Sequence, residues 1–338
     1  MKILIFNIGS ATIKYKFINN NISLERKYYY KNKEDLLKKI NKILELKPEI
    51  IIHRVVHGGN LKNCIITEKI IKKIENFSEF APLHNPMQIK VIKFCKEKAK
   101  QIAIFDTSFF LSMPKIAKTY AIPKKIANKY QIRRYGFHGI NHKYMRTKLK
   151  EKKLITCHLG AGSSVTAWLD KKPLDTSMGL TPLEGVMMAT RSGSVDPSLV
   201  KYLEKKLKTK SIIDLLNKKS GFLGLTGTKN VELIVKKRKQ EKYKLAFELF
   251  CYQIAKQISA YISTLKGIDA IAFSGGIGED SWPTREKICS YLLWLNLKIN
   301  SKKNKEHKYL ISNNSKIKAY IIKANEFDIM LKETKKLI

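Results

Sequence analysis

The stretch LITCHLGAGSSVTAWLD (residues 154–170) is similar to an earlier stretch of the same chain, ILIFNIGSATIKYKFIN (residues 3–19), with about one extra residue expected at the turn of the later stretch. Each copy runs from an apolar strand through Gly, Ser, Thr and Ala into a second, alternating strand, which predicts a β-hairpin with amides and hydroxyls at its tip. A single such hairpin is as well explained by a tight turn. Two copies instead indicate a two-lobed protein that holds a phosphate chain from both sides, as phosphoryl transfer requires.

The composition is that of a globular protein, with 338 residues of which 44% are hydrophobic, enough for two domains with cores of their own. No uncharged apolar run approaches the ~18 residues needed to cross a bilayer, so we expect neither a signal peptide nor a membrane anchor. Five scattered cysteines without CxxC spacing indicate reduced, mostly buried thiols and no zinc site. We therefore expect a cytoplasmic protein.

The net charge of +38, from 66 Lys+Arg against 28 Asp+Glu, invites a nucleic-acid interpretation. Only eight of these cations are arginines, however, and the lysines are spread along the chain without a basic tail. With Ile and Asn also abundant, compositional drift and solvated lysine faces explain the charge better than a specific nucleic-acid site, and non-specific polyanion binding stays open as a side effect. An arginine inside a motif then indicates a site that needs a planar, bidentate cation.

The rest of the chain alternates helical and strand patterns, without a low-complexity linker. Helices are predicted over residues 31–49, 68–79, 87–100, 197–207, 211–218, 240–265 and 325–338, and strands over 50–56, 102–109 and 269–280. Residues 81–86 (APLHNP) are predicted to form a rigid loop, and residues 220–228 (SGFLGLTGT) a turn-rich element. This pattern predicts an α/β fold, with residues 1–107 and 327–338 in a first lobe and residues 108–326 in a second.

Ten polar or glycine-rich motifs stand out in this background. In order they are NIGSATIK (7–14), HRVVHGG (53–59), FAPLHNP (80–86), FDTSF (105–109), RRYGFHG (133–139), TCHLGAGSS (156–164), DTSMGLTPLEG (175–185), TRSGSVDP (190–197), SGGIGE (274–279) and NE (325–326). Together they resemble the acetate kinases, a family in the fold group of sugar kinases, Hsp70 and actin. The resemblance covers nearly the whole chain. It implies a duplicated two-lobed α/β fold with an active-site cleft between the domains.

The resemblance also implies an activity, namely reversible in-line phosphoryl transfer between ATP and acetate that gives acetyl phosphate and ADP, with Mg²⁺, in a homodimer. A carboxylate nucleophile is ionised at neutral pH, so catalysis must come from positioning and charge neutralisation rather than from a general base. By resemblance, Arg54 and Arg191 flank the acyl phosphate and His138 donates a hydrogen bond to its equatorial oxygens. His84 is a further phosphate neighbour or an ordinary core residue. For His53, His57 and His142 the core interpretation is favoured.

The remaining site residues are also assigned by resemblance. Asn7, Asp106 and Glu326 match magnesium-related positions that act through coordinated water, with Asp106 counted among the catalytic residues. Phosphate and nucleotide contacts are implied for Ser10, Thr12, Lys14, His158, Leu159, Gly160, Ala161, Gly162, Gly275, Gly276, Ile277, Gly278 and Asp280. A pocket for the acyl methyl group is implied for Val56, Leu83, Phe137 and Pro182, with Arg54 on the substrate. The glycine loop could also be a simple strand-to-helix turn, and the four apolar residues ordinary core.

Departures from the family pattern cluster on the nucleotide side. The chain is shorter than usual, mostly between Lys14 and Arg54. Ala161 and Asp280 each replace an Asn, and the TKNVEL segment lacks the Asp and Arg that flank adenine and ribose. Three interpretations stay open: an acetate kinase with weakened nucleotide affinity, a related enzyme that uses pyrophosphate as donor or propionate or butyrate as acid, and a degenerate binding module. The preserved site arginines count against the third.

Overall fold

The computed structural model describes residues 1–9, 11–20, 22–209 and 211–338. Its strands are β1 (Lys2–Ile8), β2 (Thr12–Asn19), β3 (Ile22–Tyr29), β4 (Ile50–Val55), β5 (Cys64–Ile65), β6 (Lys100–Phe105), β7 (Lys153–Leu159), β8 (Ser163–Leu169), β9 (Lys172–Thr176), β10 (Ala270–Ser274) and β11 (Lys318–Ile321).

The α-helices are α1 (Lys33–Leu44), α2 (Glu68–Glu75), α3 (Asn85–Phe94), α4 (Lys115–Lys118), α5 (Lys124–Lys129), α6 (Gly139–Lys148), α7 (Pro197–Leu207), α8 (Ile212–Lys218), α9 (Gly221–Thr226), α10 (Val231–Lys236), α11 (Glu241–Leu265), α12 (Gly275–Asp280), α13 (Trp282–Ser290), α14 (Ser301–Lys305) and α15 (Glu326–Thr334). Short 3₁₀ helices occupy Ser78–Phe80, Asp106–Phe110 and Leu293–Leu295.

The chain divides into two compact units, each built around one mixed sheet. Unit 1 comprises Met1–Leu111, Phe137–Tyr144 and Asn325–Ile338, and unit 2 comprises Ser112–Gly136 and Met145–Ala324. The sheet of unit 1 has the strand order β3-β2-β1-β4-β6-β5, and that of unit 2 the order β11-β10-β7-β8-β9. In each sheet an antiparallel hairpin continues into parallel strands, β4 and β6 beside β1 and β10 and β11 beside β7.

The two hairpins predicted from the internal repeat are both present. In the first, Asn7 pairs with Lys14 and the last pair before the turn is Ile8 with Ile13. In the second, the matching pairs are His158 with Ser164 and Leu159 with Ser163. The extra residue lies in the first turn and not in the second, so the prediction of a longer second turn was wrong. Cross-strand partners on one face lie close enough to act on one ligand.

Each sheet is covered by amphipathic helices that bury their apolar faces. Helix α1 starts at Asn32, whose side chain accepts a hydrogen bond from the Asp35 amide, and it buries Leu36, Ile40, Ile43 and Leu44 at helical spacing. Helix α11 buries ten residues and provides much of the core of unit 2. Burial on both faces explains why β4, with the sequence IIIHRV, reads as a nearly continuous apolar run.

Three predictions of local structure were wrong where a strand or loop meets a helix. Strand β6 ends at Phe105 rather than continuing to residue 109, because the chain turns into a 3₁₀ helix in which the Ser108 hydroxyl bonds the Phe105 carbonyl. Strand β10 ends at Ser274, because Gly275 has a φ of 80° and opens α12. Residues 220–228 contain the helix α9, with its flanking glycines at the ends.

The cysteine and membrane expectations can also be compared with the structure. All five cysteines are free thiols, and four of them are buried while Cys64 is partly exposed. Across the described ranges of the chain, no helix has the length and apolar character that a membrane crossing requires.

The helix predicted from residue 87 starts earlier, at Asn85, because Pro86 occupies the first turn, where its missing N–H costs no hydrogen bond.

Candidate active site

A cluster of charged and polar groups, of which Asp106 is buried and the others are partly buried, lies at the ends of the parallel strands of unit 1. Arg54 near the end of β4 donates from Nε and Nη2 to Asp106 Oδ2, at 3.1 and 2.7 Å. Its Nη1 donates to Asn7 Oδ1 and to Glu326 Oε2, both at 3.1 Å, and Asn7 Nδ2 also donates to Glu326. Three strands and α15 thus converge on one guanidinium, because side chains at the same edge of a parallel sheet meet there.

The cluster carries two carboxylates against one arginine. Burial raises the pKa of Asp106, the Arg54 guanidinium opposes that rise, and the nearby Glu326 carboxylate adds to it. Burial by itself lowers the pKa of Arg54, but the two carboxylates raise it above its ordinary value, so the arginine stays charged. If both carboxylates are ionised, they outnumber the one guanidinium to which both are bonded, an arrangement that favours a cation.

The GFHG motif is fixed against this cluster by close backbone contact. A Cβ atom on Gly139 would lie 2.0 Å from the Asp106 carbonyl oxygen, so only glycine fits there. The Ile140 amide points to Asp106 Oδ1 at 3.4 Å. His138 has a left-handed φ of 55°, a strained backbone conformation for a residue with a side chain. Such strain is found at functional positions, and here the fold holds His138 at the start of α6 beside Asp106.

Two of the four apolar residues assigned to the acyl pocket, Val56 and Phe137, contact buried polar side chains. Val56 and Phe137 are 5% and 1% exposed. The Val56 amide donates to Gln88 Oε1 at 3.0 Å, which ties the segment after β4 to α3. The Phe137 ring packs edge-on against His57, at 5.2 Å between ring centres. His57 and His53 are buried, as the core interpretation predicted, and Leu83 is partly exposed.

Arg191 is a partly buried cation of unit 2. Its Nη1 donates to the Pro182 carbonyl at 3.3 Å and contacts Met188 Sδ at 3.4 Å. Burial lowers its pKa to about 10, so it remains charged at neutral pH. Among the described residues of its own unit, no carboxylate forms a salt bridge with it, in contrast to Arg134, which pairs with Glu184 at 2.6 Å. A partly buried guanidinium in this state is suited to an anionic ligand.

A cavity of about 950 Å³ in unit 2 is lined by several of the residues that were assigned to phosphate and nucleotide binding. From the assigned set, its lining includes Gly160, Ala161, Gly276, Ile277 and Asp280. The other assigned residues of unit 2, His158, Leu159, Gly162, Gly275 and Gly278, are not part of its described lining. Gly275 nevertheless holds the loop in place, because a Cβ there would lie 2.6 Å from the Leu159 carbonyl oxygen.

Other lining residues were missed by the sequence analysis. They are Ala189, Lys229, Val231, Glu232, Val235, Lys236, Arg238, Ser281, Trp282 and Pro283. Two signals could have found part of this set: Arg238 is one of eight arginines, and Trp282, one of three tryptophans, follows closely after the SGGIGE motif. Both are scarce residue types close to segments that depart from the family pattern.

The polar residues of the first hairpin are less enclosed. Lys14 is exposed and Thr12 partly buried, while Ser10 lies outside the described residues. Because Asn7 and Lys14 are register partners, the Lys14 side chain lies on the same face of the sheet as the Arg54 cluster. In the parts of the chain that the structure describes, no three His, Cys, Asp or Glu side chains are grouped as ligands of a metal ion.

Comparison with known proteins identifies the family. Residues 29–332 match the model of the acetokinase family. The chain belongs to this family. The acetate kinase of Carboxydothermus hydrogenoformans is 38% identical over 395 aligned positions that span 100% of this chain and 99% of the relative. The acetate kinase of Thermosipho africanus is 43% identical over 85% of this chain and 76% of its own length. The resemblance inferred from the ten motifs is thereby confirmed.

Solved structures of acetokinase relatives confirm the fold class. A propionate kinase from Francisella tularensis superposes with a TM-score of 0.92 at 34% identity, with 100% of both chains covered. The acetate kinase of Porphyromonas gingivalis gives a TM-score of 0.85 at 30% identity, with 99% of both chains covered. The chain therefore has the α/β fold of this family. Its 338 residues are fewer than the 395 positions of the alignment with the Carboxydothermus relative.

Proposed function

We propose that this chain is an acetate kinase, which transfers a phosphoryl group reversibly between ATP and acetate to give acetyl phosphate and ADP. Membership of the acetokinase family supports a phosphotransferase with a carboxyl group as acceptor. The structural observation that carries the proposal is Arg191, a partly buried cation without a carboxylate partner among the described residues of its unit. An acyl phosphate or a carboxylate substrate supplies the missing anion.

The reaction needs positioning rather than proton transfer. A carboxylate oxygen of acetate attacks the γ-phosphorus of ATP in line, the bond from that phosphorus to the β–γ bridging oxygen breaks, and ADP leaves. The nucleophile is ionised at neutral pH, so no base has to remove a proton from it. The proposal assigns Arg54 and Arg191 to the charge on the migrating group, and His138 to a hydrogen bond with its equatorial oxygens.

The groups around Arg54 also fit Mg²⁺. Asn7, Asp106 and Glu326 offer an amide oxygen and two carboxylates around one guanidinium, and oxygen donors are the ligands that Mg²⁺ prefers. Because all three also bond to Arg54, we propose that they hold the ion through its bound water molecules. When bound, Mg²⁺ neutralises charge on the phosphates of the nucleotide.

A coupled assay of the purified protein with acetyl phosphate and ADP tests this proposal directly. Formation of ATP is expected, whereas orthophosphate as acceptor should give no pyrophosphate. Transfer to orthophosphate but not to ADP would favour the pyrophosphate interpretation. Absence of transfer with either acceptor would leave only the binding module and would contradict the proposal.

Propionate is the second candidate acid, because a propionate kinase superposes on this chain so closely. Replacing Val56 with alanine should enlarge the acyl pocket and shift the ratio of kcat/KM from acetate towards propionate by about tenfold, the usual effect of one methylene. Parallel kinetics with both acids measure this ratio.

Val55→Ala is the matched control, since Val55 is fully buried in the core beside Phe105 rather than assigned to the pocket. It should lower stability without changing the acid preference. Equal ratios in the parent and the Val56 variant would place Val56 in the core.

Ala161 gives a prediction for the nucleotide side. It is exposed at the tip of the second hairpin and lines the cavity, so an asparagine there can present its amide to a phosphate. Ala161→Asn should lower the KM for ATP by about tenfold, the effect of one hydrogen bond to a charged group, and leave the acid preference unchanged. Ala161→Leu has a similar shape without the amide, and a similar gain in that variant would show that bulk rather than hydrogen bonding is responsible.

The proposal includes a homodimer in the cytoplasm, where ATP and acetate are available. Helix α7 is amphipathic but has no buried residue, and Val195, Tyr202, Leu207 and Ile213 in and near it are exposed. Exposed apolar side chains of this kind suit contact with a second copy. The free thiols agree with a reducing compartment. Light scattering of the purified protein measures the oligomeric state.

A further inference from the structure

The cavity of unit 2 has the size of a pocket for a complete small ligand, and its lining is chemically divided. Its volume of about 950 Å³ lies in the upper part of the usual range for ligand pockets. Gly160, Ala161 and Gly276 offer backbone groups that suit phosphate. A second set of lining residues, on α10 and in the segments next to α10 and α12, is apolar, aromatic and charged. The family resemblance places adenine and ribose contacts at the TKNVEL segment of this set, but it assigned none of the residues present here.

The centre of this second set is a cation–π pair, Arg238 and Trp282. The guanidinium carbon of Arg238 lies 5.8 Å from the centre of the Trp282 ring, within the range of a cation–π contact. Arg238 Nη1 donates to the Val235 carbonyl at 2.8 Å, which restrains the guanidinium. Both side chains are partly buried and both line the cavity. Lys305 also lies over the Trp282 ring, at 5.1 Å, but it is not part of the described lining.

The chemistry of this wall fits a flat aromatic ring better than a bare polyphosphate. An indole and a planar guanidinium are the surfaces on which nucleobases stack in proteins. Val231, Val235 and Ile277 add apolar area to the same cavity. The charge is nearly balanced, with three basic side chains, Lys229, Lys236 and Arg238, against the carboxylates of Glu232 and Asp280. Pyrophosphate has no apolar face to bury on this wall and would find little net positive charge.

We propose that Arg238 and Trp282 form the base-binding wall of this chain and replace the Asp and Arg that its TKNVEL segment lacks. The inference rests on the proposed function, and it makes the phosphoryl donor a nucleotide rather than pyrophosphate. Stacking tolerates different bases, because every base offers a π face. ATP, GTP and ITP should therefore support turnover with kcat/KM values within about tenfold of one another.

Tryptophan fluorescence of the full-length protein tests the proposal without relying on catalysis. Trp168 is buried in the core and Trp294 is 62% exposed outside the cavity, so a ligand stacked on the wall should quench Trp282 selectively. We expect saturable quenching by ADP and by GDP, none by pyrophosphate or orthophosphate, and loss of the signal in Trp282→Phe. Trp294→Phe is the matched control and should keep the quenching.

Kinetics give the second measurement. Trp282→Ala and Arg238→Gln should each raise the KM for ATP by about tenfold or more. The KM for acetyl phosphate should stay unchanged, because the lost contacts are contacts with the nucleobase. Arg238→Gln keeps a polar side chain and serves if Trp282→Ala does not fold. Unchanged nucleotide KM in both variants, or equal quenching by pyrophosphate and ADP, would overturn the inference while the kinase activity stands. Loss of transfer with every donor, with ADP quenching intact, would instead contradict only the proposed function.

Discussion

Arg191→Ala is expected to lower kcat by about 10² or more while the protein remains as stable as the parent. The loss follows from removing a charge-assisted contact to the transition state that is worth ~3 kcal/mol. Stability should not fall, because burial lowers the pKa of Arg191 to about 10, which means that the fold disfavours its charge. Its protein contacts are a carbonyl at 3.3 Å and a thioether sulfur at 3.4 Å, both replaceable by water. Steady-state kinetics and thermal unfolding measure the two quantities.

Arg191→Lys separates charge from geometry. Lysine keeps the positive charge but lacks the planar fork that binds two oxygens at once, so it should restore little of the turnover. Arg26→Ala removes an exposed arginine of β3 and serves as the control, with activity and stability unchanged. Near-parental turnover in Arg191→Lys would rule out the role assigned to Arg191.

Arg54→Ala should have a larger combined effect, because it loses both activity and stability. The substitution removes one partner of a buried ion pair with Asp106 and leaves that carboxylate, which is fully buried, without its cation. Breaking such a pair usually costs about 3–5 kcal/mol. The drop in kcat should again be about 10² or more. Urea unfolding and the acetyl phosphate assay measure the two losses.

The stability loss of Arg54→Ala should depend on pH in a defined direction. Burial raises the pKa of Asp106, and the guanidinium that opposes the rise is gone in the variant. A carboxyl whose pKa is higher in the folded than in the unfolded state favours folding when protonated, so the deficit relative to the parent should shrink as the pH falls from 7. A deficit that does not change with pH would show that lost packing, rather than the unpaired carboxylate, destabilises the variant. Arg26→Ala again provides the baseline.

Much of the fold could be predicted from local patterns. The two hairpins came from the similarity of residues 3–19 and 154–170, and strand pairing confirms both. The helices at Pro197–Leu207 and Glu241–Leu265 were predicted within a residue of their observed ends. These elements depend on periodic burial within a short segment, which is visible without any knowledge of partners. Predictions failed at junctions such as Asp106 and Gly275, where contacts with distant segments decide how a strand ends.

The types of residues in the site were equally visible in the sequence, but their arrangement was not. Scarce arginines, the repeated phosphate hairpins and the order of the ten motifs were enough to indicate the family and phosphoryl transfer. The sequence could not show that Arg54 bonds to Asn7, Asp106 and Glu326 at once, since Glu326 is 272 residues away. Sheet order brings these groups to one edge, and such long-range pairing leaves no local periodic signal.

The nucleotide side shows the same division most clearly. The missing Asn, Asp and Arg could be read directly from Ala161, Asp280 and the TKNVEL segment, so weaker nucleotide binding was a sound expectation. Only the tertiary structure places Arg238 and Trp282, 44 residues apart, in one cation–π pair on the cavity wall. The order of the residues was visible in the sequence. The binding surface is assembled from segments that meet only when α12 packs on β7 and β10 and when α10 and α13 pack on α11.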